Sequence, residues 1–78
     1  MTDFVIPEDI REGYDILIHF FLDLTDTMQE EVREWRDDLK IAIRVWKAGG
    51  KEPDWNGFRE SANEICREDG MPSIFEEE

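Results

Sequence analysis

The sequence predicts an all-α protein, a small three-helix antiparallel bundle, and three observations support this prediction. Three segments carry apolar residues at spacings of three and four, which place them on one helical face. With 78 residues, the chain has room for one domain, over residues 1–78. The residues that most often mark helix boundaries lie at the borders of these segments: Pro7, the stretch 25–27, the pair Gly49 and Gly50, Pro53, Gly70 and Pro72.

The first helix is predicted to span residues 7–24, after a short irregular N-terminus. Pro7 suits a first helical turn, and the acids Glu8 and Asp9 follow at the positive end of the helix dipole. The predicted core stripe consists of Ile10, Tyr14, Leu17, Phe21 and Leu24.

The second helix is predicted to span residues 27–48. Thr27 and Glu30 have the spacing of a capping box, and Gly49 supplies a left-handed stop. Its apolar stripe is Met28, Val32, Trp35, Leu39, Ala42 and Trp46.

The third helix is predicted over residues 55–69, followed by a stop at Gly70. Residues 73–78 then form an acidic C-terminal tail. The stripe of this helix is Trp55, Phe58, Ala62 and Ile65.

Several apolar residues lie off these stripes and allow two interpretations. They belong either to a wide core around the first helix or to a homodimer or docking surface. These residues are Ile16, Phe20, Leu22, Ile41 and Val45.

Charge is the strongest compositional signal, because 21 acidic residues against 9 Lys and Arg give a net charge of −12. Such a surface repels nucleic acid and anionic lipid and attracts basic protein surfaces. Adaptation to high salt is the alternative explanation. A single cysteine, no signal-peptide pattern and no apolar stretch long enough to span a membrane indicate a cytoplasmic protein, in the host cytoplasm if a phage encodes it.

The inventory of reactive groups favours a non-enzymatic protein without cofactor or metal. Cys66 lacks a strong activating neighbour and is expected to be a buried thiol. His19 lies four residues from both Asp15 and Asp23, and one helical ridge seldom completes a metal site. The pair at Gly49 lacks the strand and the Lys-Ser/Thr of a phosphate loop.

The acidic residues form rows at helical spacing, with neighbours about 5–6 Å apart. Ordered rows of this kind resemble nucleic-acid phosphates and predict a partner-binding surface, whereas a solvated face is the simpler alternative. The candidate partner-binding residues are Glu30, Glu34, Asp37, Asp38, Glu60, Glu64 and Glu68.

In size, charge and helical content the chain resembles the small acidic proteins with which phages and mobile elements block CRISPR effectors, restriction enzymes or polymerases. No alignable motif accompanies this resemblance, which implies an inhibitor that occupies the phosphate-binding surface of a nucleic-acid-handling protein. Two alternatives stay open: an antitoxin or immunity protein, and a homodimeric adaptor that uses Ile41 and Val45. For the antitoxin class, the expected exposed apolar residues are Trp55, Phe58, Ile74 and Phe75.

Overall fold

A computed structural model describes residues 4–75 and confirms the all-α three-helix prediction. Helix α1 spans Glu8–His19, α2 spans Asp26–Lys47 and α3 spans Trp55–Glu68. Gly49 and Gly70 have φ angles of 102° and 75°, so both adopt the left-handed conformation expected after a helix. The predictions for residues 1–3 and 76–78, which include all three acids of the predicted tail, lie outside the described residues.

The first helix ends earlier than residue 24, which corrects the predicted boundary. After His19 the chain forms a separate 3-10 turn over Phe21–Asp23. The stripe nevertheless continues, because Leu24 is buried and Phe21 is half-buried. Gln29 stabilises this break by donating from Nε2 to the carbonyls of Phe21 and Leu24, at 2.9 and 3.2 Å.

The cap of α2 is Thr25, and the predicted capping box at Thr27 and Glu30 is wrong. Thr25 Oγ1 accepts a hydrogen bond from the Met28 N–H at 3.2 Å and donates one to Asp69 Oδ1 at 2.9 Å. Thr25 therefore satisfies a free N–H of α2 and also joins that end of α2 to the end of α3.

Contacts at the helix ends establish how the three helices run. Thr25 at the start of α2 bonds to Asp69 after α3, while Trp46 and Trp55 meet at the opposite end with ring centroids 5.8 Å apart. Helices α2 and α3 are therefore antiparallel. Helix α1 is also antiparallel to α2. Phe4, before α1, contacts Trp46 near the end of α2, whereas the ring centroid of Phe21, after α1, lies 5.8 Å from Arg33 Cζ in the first half of α2.

The core lies along the inner face of α2. It contains no charged side chain among the described residues, and the one buried polar side chain is Asn63. The buried apolar residues are Ile10, Leu17, Leu24, Met28, Val32, Trp35, Leu39, Ala62, Cys66 and Phe75.

The C-terminal segment is part of this core, which corrects its interpretation as a simple extension. Phe75 is 4% exposed, and its ring packs where a side chain at Gly13 would otherwise lie. Asn63 binds the backbone of Phe75 through two hydrogen bonds. The segment up to Phe75 therefore closes one side of the bundle, between α1 and α3.

The off-stripe apolar residues are exposed, so the wide-core interpretation is wrong for them. A bundle of three helices buries one face of each helix, and these side chains lie outside the buried faces. The exposed set comprises Ile16, Phe20, Leu22, Ile41 and Val45.

Candidate protein-binding groove

A groove lined by acidic residues runs between α2 and α3, and we call it the acidic groove. It encloses about 290 Å³. Helical spacing explains its composition, because residues three, four and seven apart share one side of a helix. The α2 rim carries Glu31, Glu34 and Asp38, the α3 rim carries Ser61, Glu64 and Glu68, and the floor is formed by Trp35, Phe58 and Ile65.

The floor of the acidic groove joins the two helices directly. Trp35 is buried, and its Nε1 donates to the Phe58 carbonyl over 2.9 Å. The two rings also meet edge to face, with centroids 6.3 Å apart and an interplanar angle of 80°. This combination of a ring contact and a hydrogen bond holds α2 against α3 and so fixes the positions of the two helices that carry the rims.

The carboxylates across the groove affect one another. Glu31 has its pKa raised, first by desolvation, then by a hydrogen bond with Glu68 and by repulsion from Glu68, Asp69 and Glu34. Its ionised form is therefore less favoured than that of an isolated glutamate. A basic side chain between the two rims would relieve this repulsion.

The structure brings four of the seven predicted partner-binding residues together, namely Glu34 and Asp38 from α2 with Glu64 and Glu68 from α3. The other three do not line the acidic groove. Glu30 lies on the exposed outer side of α2, Asp37 pairs with Arg36 at 3.5 Å, and Glu60 borders a different cleft.

Glu31 belongs to the groove, and sequence reasoning missed it. Its spacing from Glu34 and Asp38, three and seven residues, was available as a signal. The row that starts at Glu30 has the regular i, i+4 spacing, and for that reason the sequence pattern favours Glu30 over Glu31. Glu31 lies four residues before Trp35 and therefore on the same side of α2. The position of Trp35 in the floor of the groove thus identifies Glu31 as a groove residue.

A second, wider cleft of about 990 Å³ separates α1 from α3. Its charge is mixed, because Arg59 lies in it and binds Asp9 through Nε at 2.6 Å and Nη2 at 2.9 Å. This hydrogen-bonded guanidinium lowers the pKa of Asp9. Glu60 and Arg67 also border this cleft, so it does not present the uniform negative charge of the acidic groove.

The two residues with potential chemical reactivity are placed apart from the groove. Cys66 is fully buried, and desolvation raises the pKa of its thiol. His19 is exposed and contacts Phe20 edge to face. Because α1 ends at His19, Asp23 does not continue the ridge that carries Asp15, and residues 4–75 contain no cluster of three His, Cys, Asp or Glu side chains suited to a metal ion.

The apolar residues expected to be exposed for an antitoxin-like contact are mostly covered. Phe75 is buried, and Trp55, Phe58 and Ile74 are half-buried and pack against the core. The expectation of an exposed set at these positions is therefore wrong, because the C-terminal segment folds back onto the bundle and because Trp55 and Phe58 pack against Trp46 and Trp35 of α2.

Comparison with known proteins finds no matching family model, no matching curated protein and no matching solved structure. No helix within residues 4–75 is both long enough and apolar enough to cross a membrane. The functional argument therefore depends on the acidic groove itself.

Proposed function

We propose that this protein binds a basic surface of a nucleic-acid-handling protein through the acidic groove and thereby blocks the phosphate-binding site of that partner. The observation that carries the proposal is the placement of five carboxylates, Glu31, Glu34, Asp38, Glu64 and Glu68, on the two rims of one groove. The proposed site of action is the cytoplasm.

Both the chemistry and the spacing of the groove suit such a partner. Carboxylates one turn apart on a helix are separated by about 5–6 Å, a distance that basic residues arranged for a phosphate backbone can match. Arginine and lysine also carry apolar stems, which can pack on Phe58 and Ile65 while their charged groups meet the rims.

The energetic cost of the groove also supports a binding role. Like charges placed together do not stabilise the fold, and the pKa of Glu31 is raised first by desolvation and then by its hydrogen bond with Glu68 and by repulsion from neighbouring carboxylates. A cationic partner converts that repulsion into attraction, and the net charge of −12 accelerates the encounter at low ionic strength.

The test is capture of binding proteins from a host lysate at low and high salt. The groove variant carries Glu34→Gln, Asp38→Asn, Glu64→Gln and Glu68→Gln. The matched control removes the same four charges outside the groove, through Glu8→Gln, Glu12→Gln, Asp15→Asn and Asp23→Asn.

Wild type and the control are expected to retain a nucleic-acid-handling protein at low salt and to release it at high salt, whereas the groove variant does not retain it. Capture of a toxin in place of such a protein would support the antitoxin class. Equal retention by all three proteins, or binding that is insensitive to salt, would contradict the proposed use of the groove.

A further inference from the structure

The outward face of α2 carries an apolar pair that stays about half exposed, although the backbone of Gly50 lies against the Val45 side chain. Ile41 and Val45 are 55% and 52% exposed and lie four residues apart, so their side chains are neighbours on the helix surface. Neither residue lines the acidic groove. Helix α2 is also the longest of the described helices, with 22 residues, and most of its length lies on the N-terminal side of this pair.

Charge is divided along the same face, with Ile41 near the boundary. The acids Asp37 and Asp38 precede Ile41 by four and three residues, and Arg44 follows it by three. From Lys40 to Lys51 the chain has four basic residues and no acid. One side of Ile41 is therefore negative and the other side is positive.

We propose that the occupant of this face is a second copy of the chain, with α2 packed antiparallel against α2 of the other copy. A symmetric pair requires a surface that is complementary to itself. A twofold axis near Ile41 gives that match, because it brings the two Ile41 side chains together and places Arg44 of each copy opposite Asp37 of the other. The antiparallel helix dipoles also attract each other.

This pairing does not rest on the proposed groove function. Asp37, Ile41 and Arg44, the residues that its tests change, lie outside the acidic groove, whereas Asp38 belongs to both surfaces and is left unchanged. Since each chain carries a charge of −12, the two copies repel one another at long range, and only a specific local match overcomes this repulsion. The dimer is therefore weak and depends on these few residues.

Sedimentation equilibrium of the full chain, at concentrations up to about 1 mM, measures the pairing. Wild type is expected to show a reversible monomer–dimer equilibrium. Ile41→Ser should weaken the dimer about tenfold or more, whereas Leu22→Ser, a matched control at another exposed aliphatic residue, should leave the affinity unchanged. A purely monomeric wild type, or equal affinity in Ile41→Ser, would overturn the proposal.

Complementary charge reversal tests the register. Asp37→Arg and Arg44→Asp each place like charges opposite one another, so either variant alone should dimerise about tenfold or more weakly than wild type. Their equimolar mixture should restore the dimer, because the heterodimer contains one native and one reversed pair. Lys40→Asp, on the flank of α2 that continues to Ile43, is the control. Mixing Lys40→Asp with Asp37→Arg should not restore the dimerisation that Asp37→Arg loses. Failure of the mixture to restore association would overturn the antiparallel register.

Discussion

Asn63 and Phe75 form a reciprocal pair of hydrogen bonds that joins the C-terminal segment to α3. Asn63 Nδ2 donates to the Phe75 carbonyl at 3.0 Å, and Asn63 Oδ1 accepts from the Phe75 N–H at 2.9 Å. Both residues are buried, so water does not replace these bonds when one partner is removed. This pair determines where the Phe75 ring packs, and the ring closes the core beside Gly13.

Replacing Asn63 should therefore weaken the fold substantially. Asn63→Ala leaves a buried N–H and a buried carbonyl without their partner, and we expect it to lower the free energy of unfolding by about 2–4 kcal/mol. Urea denaturation measures this loss. Ser61→Ala, at an exposed position of the same helix, is the control, and a loss of less than about 0.5 kcal/mol in Asn63→Ala would contradict the account.

Gly13 should respond to substitution in a way that depends on Phe75. Alanine is the better helix former by about 1 kcal/mol, but its methyl group would overlap the Phe75 ring. The free-energy cost of displacing a buried aromatic ring exceeds this gain in helix propensity. Gly13→Ala should therefore destabilise the protein by about 1–2 kcal/mol. In a Phe75→Ala background the same change should become stabilising. A double-mutant cycle checks this reversal of sign, and the same effect in both backgrounds would show that the contact is unimportant.

The two threonines near the start of α2 should behave differently. Thr25→Ala removes the cap to Met28 and the bond to Asp69, so we expect a loss of about 1 kcal/mol in the free energy of unfolding. Thr27→Ala should change stability little, because Thr27 is exposed within the first turn of α2. Thermal denaturation of both variants makes the comparison, and a larger loss for Thr27 would restore the capping box predicted from the sequence.

The raised pKa of Glu31 predicts a pH-dependent stabilisation by Glu31→Gln. Because the folded-state pKa lies above the ordinary value of 4.5, the ionised carboxylate opposes folding. This penalty is absent below pH 4.5 and is complete once the pH exceeds the raised pKa. Glu31→Gln should therefore raise Tm at neutral pH and lose this advantage as the pH falls towards 4.5. Glu30→Gln removes an equivalent charge outside the groove, and an equal increase in Tm for both variants would argue against a groove effect.

Sequence periodicity was sufficient to predict the three helices but not their ends. The stripe of Leu17, Phe21 and Leu24 is satisfied equally by a continuous helix and by a helix followed by a 3-10 turn. The choice depends on Gln29, which lies in the next helix and binds the carbonyls at the break. Such a contact between elements leaves no mark in local spacing.

The candidate site was predicted in part, for a similar reason. Helical spacing placed Glu34 and Asp38 in one row and Glu64 and Glu68 in another, but only the packing of Trp35 on Phe58 brings the two rows to one groove. The burial of Phe75 could not be predicted from the local sequence either. It depends on hydrogen bonds with Asn63 and on the space beside Gly13, and both residues are distant from Phe75 in the sequence.

Competition between this protein and nucleic acid for the captured partner tests the central claim most directly. The measurement is the apparent affinity of that partner for its nucleic acid, with increasing amounts of wild type or of the four-residue groove variant. The account predicts that wild type weakens nucleic-acid binding competitively and that the groove variant does not. The account would be contradicted if the partner bound its nucleic acid with undiminished affinity while wild type was also bound. Equal inhibition by wild type and the groove variant would contradict it as well.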